Sequence, residues 1–279
     1  MVVGDATAEC DAFGAHTVTH MQDSFAAGDA ALFVDARQRR RLVVLEHGTQ
    51  FHSHAGTIPH DEIIGGPAAV EHRSTQGAKW TVVRPTLEDF VLTMPRGAQV
   101  IYPKDLAAMC TFADVGPGMR VFETGIGSGA LSIALLRLGA IVTGYEIRED
   151  FATRASRNVR LFLGQGPMDR YSVHLRDSYE SVDHAEFDRA MLDIPEPWRV
   201  IPHLPNALRP GGVVCAYTPS ITQAASVRGA LAEGWFDVRT LEVLHRTWHI
   251  EGQSVRPDHR MVAHTAFLTI GRLAPATAR

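Results

Sequence analysis

Cysteine is scarce in this chain: three residues in 279, Cys10, Cys110 and Cys215, widely separated. They form neither a disulfide framework nor the paired spacing of a zinc site, and a reducing, cytoplasmic setting is expected. The 14 histidines show no ligand spacing either, so no metal is expected. Long apolar runs are also missing. No stretch reaches the roughly 18 residues that a membrane span needs, which predicts no membrane association. Residues 1–21 hold no Lys or Arg ahead of an apolar core, unlike a signal peptide, and residues 1–22 read as a flexible tail. An excess of positive charge is absent too, since 27 Lys and Arg against 31 Asp and Glu leave a net charge of −4. Nucleic-acid binders commonly carry a basic excess, so any such surface here has to be local.

What is present suits a globular α/β protein. Hydrophobic residues make up 45% and charged residues 21%, enough to bury a full core. The length fits a catalytic domain with a smaller module. Residues 23–75 read as a small β domain: residues 31–35 and 41–45 predict a hairpin whose link carries Arg37, Arg39, Arg40 and Arg41. That link reads either as a phosphate-contacting tip or as a solvated turn. Residues 76–103 read as a connector and the start of the second domain, with a strand at 80–84 and a Pro-punctuated stretch at 95–103. From 104 to 279 strand and helix alternate. Helices are expected at 104–114, 130–138 (Leu131, Ala134, Leu135 and Leu138 on one face), 150–163 and 221–233. Strands are expected at 120–123, 141–146, 171–175, 187–193 and 212–217. Two late strands, 238–244 and 264–270, have no helix between them and predict an antiparallel hairpin at one edge. The fold class is therefore a Rossmann-like, doubly wound α/β sheet with a C-terminal antiparallel hairpin.

The central motif is Val121-Phe122-Glu123-Thr124-Gly125-Ile126-Gly127-Ser128-Gly129-Ala130, a strand, a Gly-rich turn and a helix start. Such turns bring backbone N–H groups close to a ligand. Gly125-x-Gly127-x-x-Ala130 also satisfies a relaxed dinucleotide fingerprint, with Glu146 as the acid that follows the second strand. Three carboxylates favour S-adenosylmethionine over NAD. Glu123 precedes the first glycine, where it can face an amino-acid ammonium. Asp177 follows the third strand, where an adenine amino group would lie. Asp193 ends the fourth, beside a methyl donor. Each acid alone reads equally as a helix N-cap.

At this point the chain resembles the bacterial and archaeal tRNA adenine-58 N1-methyltransferases, the tRNA methyltransferase I family. The likeness runs over residues 23–272. It rests on Pro95-Arg96-Gly97-Ala98-Gln99-Val100-Ile101-Tyr102-Pro103-Lys104-Asp105, on the Glu123 to Ala130 turn, on Leu192-Asp193-Ile194-Pro195-Glu196-Pro197-Trp198, on Tyr217-Thr218-Pro219-Ser220-Ile221-Thr222-Gln223, and on His264-Thr265-Ala266-Phe267-Leu268. The resemblance implies a class I S-adenosylmethionine-dependent methyltransferase with a small N-terminal β domain. It implies a homotetramer that methylates N1 of adenosine 58 in the tRNA T-loop. It places Ile101, Glu123, Gly125, Gly127, Ser128, Gly129, Ala130, Leu131, Glu146, Asp177 and Ser178 at the cofactor. It places Asp193 at the cofactor and at the catalytic carboxylate, and Tyr102 and Tyr217 at the target pocket. The chain departs from the family pattern at Thr124, Ala55 and Ala263.

The expected chemistry is methylation of an adenine N1 lone pair, with Asp193 stabilising the cationic ring and taking an N6 proton. Trp198 reads either as a stacking partner or as a core residue. The competing readings are a related methyltransferase acting on another RNA, a nucleoside or a small molecule, and a non-catalytic RNA-binding subunit.

Overall fold

The computed structural model describes residues 24–97, 99–183 and 186–275; the expected tail, Cys10 and Ala98 lie outside the described residues. Near the N-terminus β1 (Ala30–Asp35) and β2 (Arg40–Val44) form the expected hairpin, followed by a separate hairpin of β3 (Gln50–Ser53) and β4 (Gly56–Pro59). β5 (Ala69–Arg73) and β6 (Lys79–Val83) complete an antiparallel sheet in the order β2-β1-β6-β5. The strand expected in the connector therefore belongs to this first sheet, pairing Phe33 with Val82 and Asp35 with Trp80. Its hairpin with β5 is local, but its pairing with β1, across about 45 to 50 residues of chain, is not visible in the local sequence. Phe51 packs between Phe33 and Trp80, with ring centroids 4.3 and 4.9 Å apart.

A short helix, α1 (Leu87–Thr93), follows. Thr86 and Asp89 close it with reciprocal side-chain to backbone bonds, the sequence signature of a helix start. α2 (Pro103–Phe112) begins with proline at its first turn, where no N–H is missed.

The second sheet has seven strands. β7 (Arg120–Thr124), α3 (Ala130–Arg137), β8 (Ile141–Glu146), α4 (Glu149–Leu163), β9 (Tyr171–Leu175) and β10 (Phe187–Leu192) come first. α5 (Leu204–Ala207), β11 (Leu208–Thr218), α6 (Ile221–Ala230) and β12 (Trp235–Glu242) follow. A small hairpin of β13 (Trp248–Glu251) and β14 (Ser254–Pro257) precedes β15 (Phe267–Leu273). The order is β12-β15-β11-β10-β7-β8-β9. β7 to β11 are parallel, and β15 runs antiparallel between β11 and β12. The expected edge hairpin is present, three residues out of place at each strand start, and the β13–β14 hairpin fills its polar excursion.

Alternation along the strands splits the core between the two faces. Val121, Met191 and Cys215 face α2, α3 and α4, while Phe122, Ala190, Leu192, Val214 and Ala216 face α5 and α6. Burying a side chain such as Phe122 contributes about 1.5–3 kcal/mol. α3 is buried along nearly its whole length, whereas Leu138, expected on its apolar face, lies past its end and is 41% exposed. Among the described residues no helix is long and apolar enough to cross a membrane, and no group of three His, Cys, Asp or Glu could hold a metal.

Candidate active site

The Gly-rich turn is shaped by close approach. A Cβ on Gly125 would stand 1.9 Å from the Asp193 carbonyl oxygen, and Gly125 has a φ of +81°. Gly129, at φ +85°, begins α3 with Ala155 of α4 only 3.1 Å from where its Cβ would be. Only glycine lets the ends of β7 and β10, and α3 and α4, lie so close. The Asp193 amide then donates to the Thr124 carbonyl at 3.0 Å. Asn158, buried on α4, pins the turn from outside by donating to the Ser128 and Pro95 carbonyls at 2.9 and 3.1 Å. Ile101, Ile126, Ala130 and Leu131 supply buried apolar walls.

The strand-end acids differ sharply in their surroundings. Glu123 is buried; its Oε2 accepts the Ser132 hydroxyl at 2.7 Å, and Oε1 has no partner. Tyr171 donates in turn to Ser132 at 3.1 Å. Burial pushes the Glu123 carboxyl up to about 8, and the negative charges of Asp193 and Glu146 add to this. A cation placed against Oε1 would restore its charge, so the carboxyl suits an ammonium group. Glu146 is held by two backbone donors, Gly127 N–H at 3.1 Å and Arg148 N–H at 3.0 Å, which fix its carboxylate at the end of β8. Asp177 uses Oδ1 to accept the Tyr179 amide at 2.8 Å, so part of its role is to hold a turn. Ser178 pairs with Thr124 at 2.7 Å, which gives the departure at Thr124 a physical reason: its hydroxyl ties the β7 end to the loop after β9.

Asp193 retains some exposed surface, yet the protein atoms around its carboxylate push it up to about 7. Tyr217, at the end of β11, is buried, and its phenol is pushed up by burial and by the charges of Asp105 and Asp193, with Tyr102 adding. Asp193 and Tyr217 follow the paired residues Leu192 and Ala216 at the ends of the neighbouring strands β10 and β11. Tyr102 stands immediately before α2 and is half-buried.

Other sequence candidates fall elsewhere. Trp198 packs against the core on the α5–α6 face, the structural alternative of its two readings. Of the arginine cluster, Arg39 pairs with Asp35 at 2.6 Å and Arg40 with Asp89 at 2.5 Å. Arg37 and Arg41 are exposed.

The sequence reading passed over Ser132, Tyr171 and Asn158. It also missed a buried network of Lys104, Asp105 and Thr265, with Lys104 Nζ 2.8 Å from Asp105 and 2.5 Å from Thr265. Ser132 did carry a signal, a hydroxyl inside the otherwise apolar run Ala-Leu-Ser-Ile-Ala-Leu-Leu. Lys104, Asp105 and Thr265 stand in motifs that carry the family resemblance, but nothing local shows that they meet.

Comparison with known proteins agrees with this geometry. The family model described as "tRNA methyltransferase complex GCD14 subunit" matches residues 79–266, and a "TrmI-like N-terminal" model matches residues 24–70. The chain is 39% identical, over 85% of its length and 94% of the relative's, to tRNA (adenine(58)-N(1))-methyltransferase TrmI of Thermus thermophilus. A structure of an S-adenosylmethionine-dependent O-methyltransferase from Thermotoga maritima superposes with a TM-score of 0.86 at 30% identity, covering 95% of this chain and all of that one. The tRNA (m1A58) methyltransferase TrmI of Aquifex aeolicus superposes with a TM-score of 0.78 at 28% identity, covering 91% of this chain and all of that one. With a Gly-rich turn, strand-end acids and a sheet that carries an inserted antiparallel strand, the chain belongs to the GCD14/TrmI family of tRNA methyltransferases, enzymes of the class I S-adenosylmethionine-dependent fold.

Proposed function

We propose that this chain transfers a methyl group from S-adenosylmethionine to N1 of adenosine 58 in the tRNA T-loop, as a homotetramer. The observation that carries the reading is the unpartnered Glu123 Oε1 on the same sheet edge as Asp193 and Tyr217. One acceptor awaits a cation and the other lies beside an aromatic pocket. The name of the Thermus thermophilus relative supports the choice of acceptor.

The sulfonium supplies an already activated methyl, so the protein's task is positioning. Glu123 would face the amino-acid ammonium, Glu146 would accept from ribose hydroxyls, and Asp177 with Ser178 would border the adenine. Ile101, Gly125, Gly127, Ser128, Gly129, Ala130 and Leu131 line the donor's bed. N1 lies on the pairing edge, so the target base leaves its stack to reach Asp193. Tyr102 and Tyr217 hold it there. N1 would attack the methyl carbon through its lone pair, needing no base, as the methyl–sulfur bond breaks and leaves S-adenosylhomocysteine; the positive charge passes to the ring, which the Asp193 carboxylate would stabilise before taking the N6 proton.

Self-association is supported by two features. β12 is a sheet edge, and the β13–β14 hairpin exposes Trp248, Ile250 and Val255. Copies brought together also combine their exposed Arg37 and Arg41 on one RNA.

The fold by itself does not choose the acceptor. Purified protein incubated with labelled S-adenosylmethionine and unmodified bulk tRNA, followed by nucleoside mass spectrometry, tests the reading. 1-Methyladenosine in the T-loop is expected. Label entering no RNA, or entering another position, overturns it.

A further inference from the structure

Among the described residues nothing hydrogen-bonds to the Asp193 carboxylate, which is pushed up by burial. Its direction therefore depends on the backbone that carries it. That backbone, the loop from Asp193 to Trp198, is held at three points by three different elements. The Asp193 N–H donates to the Thr124 carbonyl at the end of β7, at 3.0 Å. The Pro195 carbonyl accepts from Nε2 of Gln223, in the first turn of α6, at 3.0 Å. The Glu196 N–H donates to the phenol oxygen of Tyr179, in the loop after β9, at 3.0 Å. Pro195 has no N–H, so its carbonyl is the one main-chain hydrogen-bonding group it offers. Both holding side chains are themselves fixed. Gln223 Oε1 accepts the Ser220 hydroxyl at 2.7 Å, and the Pro195 carbonyl can only accept, so the amide has one orientation. The Tyr179 ring lies under the Arg199 guanidinium at 4.2 Å, and its main chain bonds to Asp177 and His203 at 2.8 and 3.1 Å.

We propose that Gln223 and Tyr179 are positioning residues for methyl transfer, which clamp the loop after β10 from two separate elements and so set the direction in which Asp193 presents its carboxylate to the target base. The two bonds fall on consecutive residues, 195 and 196, within three positions of that carboxylate. A loop released there could swing Asp193 by about an ångström, a displacement that is costly in rate where a group must meet a reacting molecule. The packing on the other side is equally close, since the Asp193 carbonyl oxygen lies 1.9 Å from where a Cβ on Gly125 would stand. Holding the residue through its backbone also has a chemical use. A carboxylate that is not itself bonded keeps its lone pairs free for the base's charge and proton. The clamp gives Gln223, the last residue of the Tyr217 to Gln223 stretch, a task of its own.

This inference rests on the role proposed above for Asp193. Gln223→Glu keeps the length of the side chain and the bond from Ser220, but its carboxylate cannot donate to Pro195. Tyr179→Phe keeps the ring and the main-chain bonds and removes only the acceptor for Glu196. Each is expected to lower kcat on tRNA about tenfold, while affinity for S-adenosylmethionine in calorimetry changes less than about twofold. Each is then made in an Asp193→Ala background. There the residual turnover is expected to fall no further, because no carboxylate is left to aim. Loop packing without a positioning role would cost the same factor with and without Asp193, and that result overturns the inference. So does an unchanged kcat in either single variant. Should Gln223→Glu not fold, Tyr179→Phe decides alone by the same comparison. Wild-type enzyme that leaves adenosine 58 unmethylated, or an Asp193→Ala enzyme with near-normal turnover, refutes the proposed function or the role of Asp193 in it, and this inference falls too. That result is separate from an active, Asp193-dependent enzyme whose rate ignores Gln223 and Tyr179.

Discussion

Ser132 donates its hydroxyl proton to Oε2 of Glu123 at 2.7 Å, while Oε1 of the same buried carboxyl has no partner. One half of the group is anchored by α3 and the other is left for a ligand. A lone unsatisfied buried oxygen costs about 1–3 kcal/mol. This chain carries that cost at the oxygen to which the proposed function assigns the donor's ammonium.

The first expected consequence is a pH-dependent stability. The Glu123 carboxyl lies near 4.5 when unfolded and near 8 when folded. Between those values the folded chain holds a proton that the unfolded chain has released, so stability falls as pH rises from about 5 to about 8. Asp193 acts in the same direction up to about pH 7. Urea melts of the ligand-free protein across this range should show the decline, and Glu123→Gln should flatten much of it while weakening S-adenosylmethionine binding in calorimetry. A slope unaffected by the substitution would mean that Glu123 is ionised in the folded protein.

Asp193 should govern the rate. Asp193→Ala is expected to lower methyl transfer to tRNA by about 10²–10³-fold, with donor affinity reduced only modestly. Because burial holds its carboxyl near 7 and the ionised form is the working one, kcat/KM should rise with pH through about 7 and then level off. Asn should be less harmful than Ala if hydrogen bonding to N6 outweighs charge. Near-normal turnover of the alanine variant would remove Asp193 from the mechanism.

Gly125→Ala should be far more damaging than Gly164→Ala. Both glycines have positive φ, +81° and +75°, but a Cβ at 125 meets the Asp193 carbonyl at 1.9 Å and one at 164 meets nothing within 4 Å. The backbone penalty alone is about 1–3 kcal/mol. Thermal melts should show that modest loss for residue 164. At 125 a larger loss and no measurable donor binding are expected. Equal shifts would mean that β7 and β10 part easily.

His264 bridges two acceptors, the Glu242 carboxylate at 3.1 Å and the Pro219 carbonyl at 2.9 Å, and both bonds need a proton on the ring. The Pro219 bond first, then the Glu242 bond, raises its pKa above 6.5. Its stabilising contribution is therefore complete below 6.5 and is lost as pH rises through the raised value. An NMR titration should find the ring above 6.5, and Glu242→Gln should bring it down. A ring titrating at or below 6.5 in the unaltered protein would rule out the double bridge.

Light scattering should give four times the 30.5 kDa chain mass at micromolar concentration. Trp248→Asp, on the exposed face of the β13–β14 hairpin, should reduce it. A single-chain mass for the unaltered protein would end the homotetramer proposal.

Much of this architecture was legible locally. Short apolar strands separated by helical stretches define a doubly wound sheet, because each central strand must bury both faces. The run from Glu123 to Ala130 states its turn outright, since only glycine tolerates the backbone at 125 and 129. Acids at strand ends are readable because a parallel sheet presents its carboxyl edge to ligands. Tertiary structure alone decided the rest. The strand at Lys79–Val83 joined the first sheet by pairing with β1 as well as with β5. Trp198 packed, partly buried, against the core, and Arg39 and Arg40 were taken up by Asp35 and Asp89. Asp105 and Thr265 are 160 residues apart in the chain and 2.5 Å apart in space. Periodicity and turn chemistry are properties of neighbours along the chain. Burial, the raised carboxyls at Glu123 and Asp193, and the direction of a hydrogen bond are properties of neighbours in space, and they exist only once the sheet has closed.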